Sequence, residues 1–90
     1  MPYIDPGSRR QIDPELYPLI DRLKRRTREG KDRNGEVVYV LYKILVEIYG
    51  QGNFEIKSNA LKALESAKLE YYRRLMVPYE NQKIQENGDV

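Results

Sequence analysis

The residues able to do chemistry are concentrated late in the chain. Lys68, Glu70, Tyr71, Tyr72, Arg73 and Arg74 fall within seven positions, and Tyr79, Glu80 and Lys83 follow closely. Glu70 and Arg74 stand i, i+4 in the order that favours an ion pair on a helix. Lys68 lies on the apolar side, between Leu61, Leu64 and Leu75. A lysine sequestered there would serve as a base or an anion ligand. The commoner arrangement lets its stem cover apolar surface while the amine reaches water. Catalysis needs a nucleophile with a base, or an acid with a base. The chain has no cysteine and no histidine, which removes thiolate chemistry, disulfides and the usual zinc ligands. No carboxylate cluster matches a calcium loop, and no glycine-rich phosphate loop is present. The expectation is therefore no catalytic residue, no metal and no cofactor. The set from Lys68 to Lys83 is instead a candidate interaction surface.

A second cluster is basic. Arg22, Lys24, Arg25, Arg26, Arg28, Lys31 and Arg33 crowd one short stretch, with Glu29 and Asp32 among them. Of these, Arg22, Arg25, Arg26, Arg28, Lys31 and Arg33 are candidate phosphate contacts on a nucleic acid. The alternative is a solvated helix face running into a charged loop. A formal net charge of only +2 favours the solvated face, and no base-reading motif stands out.

The aromatic set is lopsided, with eight tyrosines, one phenylalanine and no tryptophan. Tyrosine suits half-wet positions, where the ring is covered and the hydroxyl finds a partner. Core packing accounts for most of them, and stacking against bases is the sharper alternative.

Ninety residues make one domain at most. Residues 1–12 read as an extended arm, punctuated by two prolines and Gly7, with Tyr3 and Ile4 as its anchors onto a core. Asp13-Pro14-Glu15 reads as a helix start, because Asp13 can cap and Pro14 loses nothing at the first helical position. Leu16, Leu19, Ile20 and Leu23 follow on one face. Pro18 predicts a kink or a later start. Gly30 predicts the stop, with Asn34 as the next cap. Residues 36–49 carry strand-forming residues, but the apolar character runs too long for a strand, so a helix is expected. Its charges, Lys43 and Glu47, share one narrow strip, which predicts a helix enclosed on nearly all sides. Gly50 caps it. A third helix is expected from Ser58 or Asn59 to about Met76, and Pro78 should break or kink it. A helical turn or two and a frayed tail follow.

These signals predict an all-α, three-helix bundle-like domain over residues 13–77. An arm precedes it, and a short helix with a tail spans 78–90. One amphipathic helix cannot cover both the second helix and the two apolar arcs of the third. A two-fold homodimer is expected to bury the remainder.

Several stretches carry a resemblance. They are Met1-Pro2-Tyr3-Ile4, Gly35-Glu36 leading through Tyr39-Val40, Tyr49-Gly50, Ala67 through Arg74, Pro78-Tyr79-Glu80, Lys83-Ile84, and Glu86 through Val90. Together they resemble a family of small proteins from bacteria and their phages, known as a domain of unknown function. The resemblance implies a short helical protein carried on mobile or phage DNA, and brings no activity, cofactor or catalytic residue. The chain departs from that pattern at Val38 and Tyr42, where polar residues are usual, and at Ser66, where cysteine is common. The good match of the tail implies that part of it packs on the domain or on a partner, with Tyr79 and Ile84 as anchors and Glu80 and Lys83 nearby.

The functional expectation is a cytosolic, non-enzymatic protein that binds another macromolecule through the third helix and tail. The start lacks the pattern of a secretory signal, and no apolar run is long enough to span a bilayer. Nucleic-acid binding through residues 22–33 is the alternative.

Overall fold

A computed structural model describes residues 3–90, so Met1 and Pro2 of the expected arm lie outside the described residues. Four α-helices and one π-helical turn account for the architecture, with no strand among the described residues. α1 spans Pro6–Arg28, α2 Arg33–Tyr49, α3 Phe54–Tyr71 and α4 Val77–Asn87. The π turn, Tyr72–Met76, joins α3 to α4. The all-α expectation holds, and residues 36–49 are helical.

Helix starts differ from the expected ones, each for a local reason. α1 begins at Pro6, not near Asp13. Asp5 caps it by accepting from the Ser8 backbone N–H at 2.9 Å and the Ser8 hydroxyl at 2.9 Å. Asp5-Pro6 is the same cap-and-proline signal as Asp13-Pro14, one pair earlier. Those Ser8 hydrogen bonds also hold the Asp5 carboxyl below its ordinary pKa. Most of the expected arm is thus helix, and Pro14 and Pro18 both lie inside α1. α2 is capped by Asp32, not Asn34, which accepts from the Gly35 N–H at 3.0 Å. That carboxylate leaves no space for a side chain at Gly35. α3 starts at Phe54 because Asn53 accepts from the Ile56 N–H at 3.0 Å, ahead of the expected Ser58 or Asn59. Gly50 ends α2 with a φ of 65°, as expected from its freedom in the left-handed region.

Pro78 does not break the last helix. It has no N–H for the Arg74 carbonyl, and its ring crowds that oxygen. The preceding turn widens instead, with the Val77 N–H bonding to the Tyr72 carbonyl five residues back.

The chain follows a circuit. α1 meets α2, α2 meets α3, and the N-terminal segment returns to the end of α3. Among the described residues α1 and α3 do not approach each other, and α4 touches only the π turn it continues. The expected packing of the tail on the domain is therefore not found within the chain, where Tyr79 and Ile84 are exposed.

The larger correction concerns the core. No described residue is fully buried. α2, expected to be enclosed, exposes Val38, Tyr39, Tyr42 and Ile48. Its best-covered apolar side chains, Val40, Leu45 and Val46, are only half-buried. The apolar pattern was read correctly, but a circuit of helices joined at their ends covers only one side of each. The radius of gyration is 16.6 Å, with extents of 48 × 36 × 29 Å.

Candidate functional site

α3 and the π turn bring three of the expected surface residues together. Glu70 sits on the last turn of α3, with Arg73 and Arg74 one turn on. The Arg73 guanidinium donates to Glu70 Oε1 at 2.6 Å, and Arg74 Nε donates to the same oxygen. Tyr3 completes the cluster from the other end of the chain. Its hydroxyl accepts from Arg73 at 2.8 Å and Arg74 at 3.3 Å, and the Arg74 guanidinium lies 5.5 Å from its ring centroid. The Tyr3 hydroxyl, then Arg74 and Arg73, hold the Glu70 carboxyl down to a pKa of about 2. Bonding to Glu70 and Tyr3 in turn raises both guanidiniums. The Glu70 side chain is 21% exposed and its partners much more so. The cluster is a clasp on the surface, joining the start of the described chain to the π turn.

Sequence reasoning named Glu70, Arg73 and Arg74 but not Tyr3 as a site residue. The signal was partial, since Tyr3 was expected to anchor the segment before the first helix. It anchors on charge rather than on a core.

The other expected residues lie around the clasp. Lys68 is not sequestered. Its side chain is 73% exposed and reaches Glu65 at 3.8 Å, in line with the snorkelling arrangement. Tyr71 and Tyr72 are exposed. The nearby Glu80 carboxylate, as hydrogen-bond acceptor and negative charge, raises the Tyr72 phenol above its ordinary pKa. On α4 the Lys83 ammonium lies 5.6 Å from the Tyr79 ring centroid and 3.3 Å from Glu86. Such exposed pairs contribute at most about 1 kcal/mol each.

The basic segment forms the corner between α1 and α2. Arg26 makes a forked contact with Glu36, at 3.0 and 2.9 Å from Nε and 2.7 Å from Nη2. That bond raises the Arg26 guanidinium and lowers the Glu36 carboxyl. Glu36 was missed as a partner, because the pairing bridges ten residues across a turn. Beside it, Leu23, Tyr39 and Val40 line a cleft of about 390 Å³. Arg22, Arg25, Arg26 and Glu29 line a shallower polar one. Arg28 and Lys31 are exposed at the turn, and Arg33 opens α2.

The least satisfied surface is apolar. Val38, Leu41, Tyr42 and Leu45 of α2 and Leu64 of α3 border an open hollow of about 220 Å³. Tyr49, Lys57, Ala60 and Leu61 border another near the α2–α3 turn.

Fold and surface together define a small all-α protein with exposed ion pairs and open apolar faces. The chain belongs to the family described as Domain of unknown function (DUF6899), which matches residues 1–90. No curated protein and no solved structure matches it. Among the described residues, no helix is long and apolar enough to cross a membrane.

Proposed function

We propose that the chain is a non-enzymatic interaction protein. It works as a homodimer and presents the surface of α3, the π turn and α4 to another macromolecule. The observation that carries this reading is the uncovered apolar surface of α2 and α3. Contiguous apolar surface on that scale marks an association site in a water-soluble protein. The arrangement of the polar residues supports the same reading. Glu70, Arg73 and Arg74 bond to one another and to Tyr3, and Lys68 stands in solvent. They offer a rim of charge and tyrosine, the composition favoured around protein contacts. The absence of histidine and cysteine from the sequence fits a non-catalytic role. The resemblance supports a bacterial or phage setting, and the composition a cytoplasmic one.

The test is the mass of the purified full chain in solution, by light scattering over a range of micromolar concentrations. Twice the 10.7 kDa of one chain is expected. One-chain mass throughout would overturn the reading.

Nucleic-acid binding is a second reading, favoured by Arg22, Arg25 and Arg26 lining one cleft. Glu29 in the same cleft and the Arg26–Glu36 fork weaken it. A gel shift with duplex DNA that strengthens steeply as salt falls would support this reading. No shift at low salt would dismiss it.

A further inference from the structure

The open faces have a size and a pattern that say what covers them. A compact protein of this mass exposes about 5,500 Å². This chain exposes 8044 Å². If each of two copies covered its excess, they would together bury roughly 5,000 Å², which falls in the range of obligate dimers. The dimensions agree. A compact domain of this length has a radius of gyration of about 12 Å, whereas one of twice the length has about 16 Å. The single chain already measures 16.6 Å. Its envelope has room for two chains.

The pattern on α2 identifies a seam. Val37, Leu41, Ile44 and Ile48 recur at spacings of four, three and four, the repeat of helices that pack knobs into holes. They are 42%, 41%, 42% and 72% exposed. α1 approaches α2 at Gly35, Glu36, Tyr39 and Val40. α2 shares hollows with α3 along Val38, Leu41, Tyr42 and Leu45 and, nearer the turn, along Tyr42, Leu45, Val46 and Tyr49. The seam runs beside these contacts, with Leu41 at the margin of the α3 hollow, and no charged residue interrupts it. An uncharged seam matches itself across a two-fold axis, as a contact between identical patches requires.

The occupant also follows from the missing core. With no buried side chain among the described residues, the single chain has little to offset the entropy of ordering its helices. A second copy is present wherever the chain is made, and the excess exposed area matches what such a copy would cover.

We propose that a second copy of this chain seats on the Val37–Leu41–Ile44–Ile48 seam and interpenetrates the first, so that folding and dimerisation are one step. This rests on the association reading above and narrows it to one geometry and one kind of cooperativity.

The experiment combines small-angle scattering with thermal melts of the purified full chain at several concentrations. Expected are a two-chain mass, a radius of gyration close to that of the single chain, and a melting temperature that rises with concentration. A two-chain particle much wider than 16.6 Å would overturn interpenetration while leaving the association reading intact. So would a melting temperature independent of concentration. A folded single chain would overturn both. So would a chain that stays unfolded alone and folds only when lipid vesicles are added. Ile48→Glu should weaken dimerisation roughly a hundredfold and lose helix content in parallel. Ile48→Leu should retain both. Ile48→Glu with unchanged mass and melting would remove the seam.

Discussion

The clasp at Tyr3 and the apolar seam of α2 have opposite needs. The clasp joins residues seventy positions apart and satisfies its charges inside one chain. The seam is local in sequence and is only partly covered inside one chain. A charged group needs only one or two well-placed atoms, which a single crossing of the chain supplies. An apolar face needs area, and end-to-end helices supply little of it. Polar pairing ties distant parts of the chain at single points, while stability depends on what lies against the faces.

Substitutions can sharpen or break that contrast. The largest effect is expected for Leu45→Asp, which puts a charge where α2 meets α3. It should cost about 3 kcal/mol or more, seen as loss of far-ultraviolet helix signal. Ile48→Ala comes next. At a free surface it would change stability by no more than about 0.5 kcal/mol. Covered by a second copy, it should cost about 2 kcal/mol at fixed protein concentration in urea melts. The smaller value would erase the contrast. Asp32→Ala removes the cap of α2 and should cost about 1 kcal/mol, read from the same melts.

The clasp should respond to acid. The folded-state pKa of Glu70 is lowered from 4.5 to about 2, so its stabilisation is complete above 4.5 and is lost as the pH falls toward 2. Glu70→Gln should flatten the pH dependence of stability across that window. The smallest effect is expected for Tyr3→Phe. It removes the hydroxyl that Arg73 and Arg74 share but keeps the ring, and should cost about 0.5 kcal/mol. Faster amide exchange at the start of α1 would report the loosened end.

How far the sequence could be read follows the range of each signal. Helix type was legible over residues 36–49 because apolar character outlasted any strand. Gly30 and Gly50 were legible as stops because only their conformational freedom matters. Starts were misplaced where two signals competed. Asp5-Pro6 and Asp13-Pro14 are chemically alike, and nothing local ranks them. Asp32 and Asn34 compete in the same way, and the carboxylate at Asp32 finds Gly35 open to it. In the site, Glu70 and Arg74 were visible as neighbours on a helix. Tyr3 was not visible as their partner, nor Glu36 as the partner of Arg26, since those contacts depend on how the chain turns back. The enclosed α2 was inferred from composition, which reports what a helix prefers and not which chain provides it.

The π turn before Pro78 has an effect on aim. A widened turn accommodates one residue more than regular winding, and each residue of an α-helix advances the side-chain direction by about 100°. Tyr79, Glu80 and Lys83 therefore point more than a quarter-turn away from where an unbroken continuation of α3 would send them. The proline works less as a stop than as a swivel, setting the compass bearing of everything downstream. Losing a single residue between Tyr72 and Met76 would swing the whole end of the molecule toward a different neighbour.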